Sequence, residues 1–286
     1  MAHRVILALL VALGMAAAQA VPIAVQVPSL DSPGGTAVVL PGSWFPTATS
    51  APAPAMVLMH GCGGPFDGRG QWAARYTELA SRLNAMGVHV LVTDSFTPRG
   101  ERELCTQRVG QRRVTQLHRR RDALGSLQWL AAQPGVDAGR LGLLGWSNGG
   151  STVLAATNLR HVEVAAAPVR PSLAVAFYPG CESELQRGFE ASAPLLLLLG
   201  ELDDWTAAAP CKALAQRAAR GARVQWEAYA GAYHGFDGTA PVRLRRDVPG
   251  GVNPGLGVHV GAEPAARAAA DLRLSLFLRD TWSLLP

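Results

Sequence analysis

Six continuous apolar runs of strand length follow one another along the chain, at residues 56–59, 88–93, 141–146, 173–178, 195–199 and 224–229. Runs without polar alternation are typical of strands that are buried on both faces of a sheet. Stretches with helical spacing separate or follow them, at residues 72–86, 112–133, 148–158, 207–220 and 264–282. This alternation of strand and helix predicts an α/β fold, with a mostly parallel sheet flanked by helices.

The first twenty residues have the pattern of a secretory signal peptide. Arg4 precedes an apolar run at residues 5–15, and residues 18–20 read Ala-Gln-Ala, a small-x-small cleavage pattern. An uncleaved membrane anchor is the alternative, but eleven apolar residues are too few to cross a bilayer, which needs about 20. We expect an exported protein, periplasmic or secreted, whose mature chain is a single domain over residues 21–286.

The segment before the first buried run is rich in Pro, Ser, Thr and Ala. Within it, residues 36–40 alternate between polar and apolar positions. This segment is expected to form an edge strand or hairpin ahead of the core.

Charge and cysteine content exclude some classes of function. The chain has 26 basic and 21 acidic residues, and Lys212 is its only lysine. The densest basic cluster, at residues 99–121, also carries acidic and apolar residues, so it predicts a solvated surface and no nucleic-acid site. The four cysteines lack zinc-site spacing, and an even number in an exported chain favours disulfides. We expect no metal and no cofactor.

A Gly-x-Ser-x-Gly pattern follows the third buried run directly and precedes a predicted helix. It consists of Gly145, Ser147 and Gly149 with their neighbours. A serine exposed on so tight a turn needs flanking residues without side chains, which predicts Ser147 as a nucleophile. The alternative is a glycine-rich turn whose serine only caps the helix.

A nucleophilic serine needs a base and an acid that orients the base. Among the seven histidines, His234 is the candidate base, because it follows the last predicted strand of the sheet. The acid is expected after the strand at residues 195–199, where Glu201, Asp203 and Asp204 offer three carboxylates. Asp203 is the first choice, and the other two are expected to be charges at the start of the next helix. The order serine, acid, histidine is that of α/β-hydrolases.

The glycine-rich loop at residues 60–64 follows the first buried run and reads His-Gly-Cys-Gly-Gly. Such a loop can turn a backbone N–H toward the nucleophile. We expect the oxyanion hole to be formed by the N–H groups of Cys62 and Asn148.

Five segments together resemble the dienelactone hydrolase family of α/β-hydrolases, in its exported bacterial branch. They are residues 60–64, 94–100, 145–150, 200–204 and 233–237. The likeness spans about residues 55–285. It implies an eight-stranded sheet in the order 1-2-4-3-5-6-7-8 and supports Ser147, Asp203 and His234 as a catalytic triad.

The implied strand order also suggests how the cysteines pair. Cys62 and Cys105 follow strands that are neighbours in that order, and so do Cys181 and Cys211. The resemblance therefore implies two disulfides, Cys62 with Cys105 and Cys181 with Cys211, at the carboxyl edge of the sheet.

Two positions depart from the family that the sequence resembles. The dienelactone hydrolases use a cysteine nucleophile where this chain has Ser147, and they bind a substrate carboxylate through an arginine where this chain has Gly238. These differences argue against dienelactone itself as the substrate. They leave hydrolysis of a small ester or lactone through an acyl-enzyme as the expected reaction, with a peptidase or amidase, or a binding protein without activity, as alternatives.

The substrate is expected to be a small, anionic or strongly polar acyl compound, bound between the edge of the sheet and residues 238–264. Arg99 and Arg243 are the predicted carboxylate contacts, with Arg245 and Arg246 nearby, and Trp146 is expected to line the site. The alternative is that these arginines face solvent. No nucleic acid is expected as a partner, and no membrane once the signal is cleaved; the sequence leaves the oligomeric state open.

Overall fold

A computed structural model describes residues 22–218 and 222–284. Its main sheet contains β1 (Ile23–Pro28), β2 (Val39–Phe45), β3 (Ala53–Met59), β4 (His89–Thr93), β5 (Val136–Trp146), β6 (Leu173–Phe177), β7 (Leu195–Gly200) and β8 (Val224–Tyr229). The strand order is β1-β2-β4-β3-β5-β6-β7-β8. The β1–β2 and β2–β4 pairs are antiparallel, and the other neighbours are parallel. The predicted fold class and the implied strand order are both confirmed.

Helices cover both faces of this sheet. They are α1 (Ala74–Ala85), α2 (Gln116–Ala131), α3 (Asn148–Thr157), α4 (Val162–Ala165), α5 (Glu182–Arg187), α6 (Ala208–Arg217) and α7 (Pro264–Trp282). Residues of α1 and α7 pack into the core on one face, and residues of α2, α3 and α6 pack into the core on the other. Along β3, Met56 and Leu58 belong to the first core, while Val57 and Met59 belong to the second. Because both faces are covered, the strand sequences are continuously apolar.

Several strands and helices begin or end at residues other than those predicted. The hairpin ahead of the core is present, but its strands are β1 and β2, and only Val39 and Leu40 of the alternating stretch belong to a strand. The predicted helix at residues 112–133 begins at Gln116, where the Thr115 N–H donates to His118 Nδ1 (3.0 Å). The predicted signal peptide at residues 1–20, Val21, and the final two positions of the predicted helix at residues 207–220 lie outside the described residues.

The segment at residues 238–264 carries a second, two-stranded sheet that the sequence pattern did not predict. Its strands are β9 (Arg243–Arg245) and β10 (Val258–Val260), which pair antiparallel. Val260 also makes a parallel bridge to His234. This hairpin therefore lies beside the predicted catalytic base. None of the described helices is long and apolar enough to cross a membrane.

Candidate active site

Ser147 lies on the tight turn between β5 and α3. Its backbone has φ 53° and ψ −118°, a conformation that residues with side chains rarely adopt. The turn also requires both flanking glycines. A Cβ at Gly145 would lie 2.3 Å from the Gly149 carbonyl oxygen, and a Cβ at Gly149 would lie 2.0 Å from the Met59 carbonyl oxygen. The glycines thus permit the close packing that exposes Ser147 at the carboxyl edge of the sheet.

His234 and Asp203 form a continuous chain of hydrogen bonds with Ser147. Ser147 Oγ lies 2.8 Å from His234 Nε2, and His234 Nδ1 lies 2.8 Å from Asp203 Oδ2. His234 is only 3% exposed and Asp203 only 5% exposed. The structure therefore brings the three predicted residues together in the geometry that lets a histidine accept a proton from a serine hydroxyl.

Asp203 is held by the turn that follows β7. The backbone N–H groups of Trp205 and Thr206 donate to Asp203 Oδ1 (2.9 and 2.8 Å), and Thr206 Oγ1 lies 3.0 Å from Oδ2. These hydrogen bonds fix the position of the carboxylate. Asp203 can therefore hold the His234 imidazole in one orientation.

The two other carboxylates of this loop have partners of their own, which corrects their predicted role as helix-start charges. Asp204 Oδ1 accepts a hydrogen bond from the His259 N–H (2.8 Å), and Asp204 Oδ2 lies 2.7 Å from His259 Nδ1. Glu201 pairs with Lys212 Nζ (3.0 Å). Asp204 thus fastens β10 to the loop that carries Asp203.

The loop after β3 approaches Ser147 closely. A Cβ at Gly61 would lie 3.8 Å from Ser147 Cβ. The Cys62 N–H donates to no other described residue, and Asn148 is the first residue of α3, where an N–H has no partner within the helix. Neither predicted oxyanion donor therefore has another hydrogen-bond partner among the described residues.

His60 has a structural environment. It is completely buried, its Nε2 accepts a hydrogen bond from the Ser95 N–H (3.2 Å), and its Nδ1 donates to the Gly61 carbonyl (2.8 Å). Burial, together with the charge of Arg119, holds the pKa of His60 well below its ordinary value. The ring is therefore neutral and joins the loops after β3 and β4.

Both predicted disulfides are present. Cys62 is bonded to Cys105 and Cys181 to Cys211, with Cα–Cα distances of 5.0 and 5.1 Å. The first joins the oxyanion loop to the segment after β4, and the second joins the segment after β6 to α6. Disulfides are typical of proteins from oxidising, extracytoplasmic compartments.

The sequence model of the dienelactone hydrolase family matches residues 44–277. The chain belongs to the dienelactone hydrolase family. It is accordingly a hydrolase that acts on ester bonds. No match was found among curated proteins.

Solved structures share the fold of this dienelactone hydrolase family member at low sequence identity. Esterase 2 of Thermogutta terrifontis, phosphorylated by paraoxon, has a TM-score of 0.63 and 16% identity, covering 92% of this chain and 96% of that one. A candidate dienelactone hydrolase of Klebsiella pneumoniae has a TM-score of 0.63 and 18% identity, with coverages of 90% and 98%. The dienelactone hydrolase-like promiscuous phosphotriesterase P91, from metagenomic libraries, has a TM-score of 0.62 and 19% identity, with coverages of 91% and 98%.

Two residues predicted to bind substrate have other contacts in this dienelactone hydrolase family member. Arg99 is paired with Asp31 and Asp122 at 2.8 Å, and its Nη1 also donates to the Ser95 carbonyl. These bonds occupy the whole guanidinium, so we assign Arg99 to a buried ion-pair cluster. Trp146 is 3% exposed and packs in the core against Tyr76 and Phe177, and its Nε1 donates to Asp237, so it does not line the site as predicted.

The arginines of the hairpin differ from one another. Arg243 is exposed and has no ion pair with another described residue. Arg245 pairs with Asp247, and its guanidinium carbon lies 5.7 Å from the centre of the Trp205 ring. The Trp205 ring in turn lies 4.6 Å from the His234 ring, centre to centre. Trp205 was not predicted, although its place two residues after Asp203 is a signal that could have found it.

Asp237, three residues after His234, is the centre of a second group of side chains that the sequence did not predict. Asp237 accepts hydrogen bonds from Arg75, Tyr178 and Trp146 Nε1, the last at 2.8 Å. A Cβ at Gly238 would lie 3.5 Å from Arg75 Nη2. Arg75 therefore brings a guanidinium beside the position where the family resemblance expected an arginine.

Proposed function

We propose that this protein hydrolyses small carboxylic esters or lactones through an acyl-enzyme formed on Ser147. The observation that carries the proposal is the hydrogen-bond chain from Asp203 through His234 to Ser147, at the edge of a parallel sheet where ligand sites are found. Membership of a family of ester hydrolases supports the same reaction.

In the first half of the reaction, Ser147 Oγ attacks the carbonyl carbon while its proton passes to His234 Nε2. The carbonyl oxygen becomes an anion and accepts hydrogen bonds from the N–H groups of Cys62 and Asn148. Fixed donors aimed at such an oxygen are worth about 3 to 4 kcal/mol each in a site that excludes water. When the intermediate collapses, His234 returns its proton to the leaving alkoxide, and the alcohol departs.

In the second half, His234 takes a proton from water as the water attacks the acyl carbon. The same two N–H groups stabilise the second oxyanion. Collapse releases the carboxylic acid and restores the Ser147 hydroxyl with the proton from His234. Asp203 accepts the hydrogen bond from His234 Nδ1 throughout and stabilises the imidazolium that forms twice in each turnover.

Two side chains beside the triad bear on the proposed substrate. Trp205 stands against the His234 ring and packs on the apolar cluster that contains Cys62 and Cys105. Arg243, exposed on a hairpin that bridges to His234, is the remaining predicted contact for a substrate carboxylate. The proposed substrate is therefore a small acyl compound, and a carboxylate on it would meet the arginine of this hairpin.

The protein is proposed to act after export, in the periplasm or outside the cell. The signal-like pattern at residues 1–20 and the two disulfides support this location. Its substrates would then be esters that reach that compartment as small molecules.

Comparing a p-nitrophenyl acyl ester with the p-nitroanilide of the same acyl group tests the proposal. We expect turnover of the ester and little of the anilide, and Ser147→Ala should lower kcat by about 10⁶-fold. Ser275→Ala is the matched control, since its hydroxyl contacts only the Asp271 carbonyl one turn earlier in α7. Preferred turnover of the anilide would make the protein an amidase, and absence of turnover for both would contradict the proposal.

A further inference from the structure

Arg119, near the start of α2, carries a charge that is completely buried without an ion pair. Its side chain is 0% exposed, and it forms no salt bridge with a described carboxylate. The neighbouring Arg120, by contrast, pairs with Glu163 at 2.8 Å. Arg119 Nε and Nη2 have no hydrogen-bond partner within the described part of the chain.

Such a charge does not serve stability. The charges of Asp122 and Asp94 favour the Arg119 cation, but no described carboxylate lies within ion-pair distance of it. These charges therefore recover only part of the lost hydration, and an apolar side chain of similar length should suit the fold about as well. The guanidinium carbon lies 5.1 Å from the centre of the Phe96 ring, which compensates only part of the loss. Burial lowers the pKa of Arg119 to about 10, so the group stays protonated at neutral pH.

The contact that Arg119 does make leads to the active site. Its Nη1 donates to Asn148 Oδ1 at 2.6 Å. Gln116, one turn earlier in α2, donates through Nε2 to the Asn148 carbonyl oxygen at 3.1 Å. Two side chains of α2 thus fix both the amide side chain and the carbonyl of the residue that follows Ser147.

We propose that Arg119 is a positioning residue that, by holding the Asn148 side chain, fixes the direction of the Asn148 N–H toward the oxyanion. This inference rests on the proposed function, in which that N–H stabilises the negative oxygen. Donors stabilise a transition state most when they are fixed before the reaction begins. The destabilising burial of Arg119 is then explained by its effect on the site.

The test uses Arg119→Met in the full chain with both disulfides formed, assayed well below its melting temperature. We expect kcat for a p-nitrophenyl ester to fall by about 10- to 100-fold, which is at most the fall in kcat caused by removing one oxyanion donor. KM should change by less than about twofold. Affinity for a phenylboronic acid, which forms an anionic tetrahedral adduct with the serine, should fall by a similar factor. The melting temperature should stay the same or rise.

Arg120→Met is the matched control, because it removes a buried arginine from the same turn of α2 without touching Asn148. It should lower the melting temperature and leave kcat nearly unchanged. An unchanged kcat in Arg119→Met, or a loss of kcat that only follows a loss of folded protein, would overturn the proposal. If Arg119→Met does not fold, Asn148→Ala tests the same contact from its other end, and an unchanged kcat there would also overturn it.

The double variant decides whether Arg119 acts through Asn148. Once Asn148→Ala has removed the acceptor, Arg119→Met should lower kcat little further. Additive losses would show that the charge acts without Asn148 and would overturn the positioning role. If the wild-type protein hydrolyses the ester but the variants do not show the changes expected here, the inference fails and the proposed function stands. If the wild-type protein is inactive, the proposed function itself fails.

Discussion

Adjacent residues in this chain have different tasks according to the direction in which their side chains point. Asp203 faces His234, whereas Asp204 faces His259 on β10. The sequence offered both carboxylates after the same strand and favoured Asp203 by its position, but the direction of each side chain depends on the geometry of the turn, which only the structure shows. Trp146 and Ser147 differ for the same kind of reason, since Trp146 ends β5 and packs into the core, whereas Ser147 lies on the turn that follows, with φ 53°, and faces His234.

Asparagine substitutions separate the two carboxylates. Asp203→Asn should lower kcat by about 10⁴-fold, because the amide no longer holds His234 in the tautomer that accepts the serine proton. Asp204→Asn should leave kcat near that of the wild type and cost at most about 1 kcal/mol of stability, as its pair with His259 is partly exposed. Steady-state kinetics and urea unfolding of both variants measure this, and a greater loss of activity in Asp204→Asn would reverse the assignment.

At the scale of elements, the buried strands and long helices were predictable because each has a continuous pattern of its own. The short elements were not. β9 reads Arg-Leu-Arg and gains its strand conformation from pairing with β10, so no local pattern indicates it. Arg99 shows the same difficulty, because it follows β4 as an active-site residue would, yet its partner Asp31 lies 68 positions away.

Arg99 is expected to stabilise the fold without contributing to substrate recognition. Arg99→Ala leaves Asp31 and the buried Asp122 without their shared cation, which should cost about 3 to 5 kcal/mol in urea unfolding. KM should change equally for neutral and carboxylate-bearing esters. Arg69→Ala, at an exposed ion pair, is the control and should cost less than about 1 kcal/mol. A selective rise in KM for the anionic ester would restore Arg99 to the substrate site.

The same cluster predicts a pH dependence of stability. Burial alone would raise the pKa of Asp31, but the hydrogen bond and charge of Arg99, with smaller effects of His118 and Arg121, lower it below its ordinary value of 3.8. The carboxylate therefore contributes stability above about pH 4, which is lost as the pH falls through the lower pKa of the folded state. Unfolding measured between pH 5 and pH 3 should show a smaller acid-induced loss in Arg99→Ala than in the wild type.

In the whole molecule, the parallel sheet brings loops from distant parts of the sequence to one edge. This is why the site could be predicted from residues that follow strands: once the fold class is known, the ends of β3, β5, β7 and β8 must meet. The contacts that support the site could not be predicted in this way. The bond from Arg75 to Asp237 spans 162 positions, and that from Arg119 to Asn148 joins two helices, so only the packed fold shows them.

Labelling with a fluorophosphonate probe, followed by peptide mapping, tests whether Ser147 is the nucleophile. Such a probe reacts with a serine whose proton has been taken by a neighbouring base. We expect one phosphonylated residue, Ser147, in the wild-type protein, and no labelling of Ser147→Ala. Labelling at another residue, or equal labelling of the Ser147→Ala variant, would contradict it.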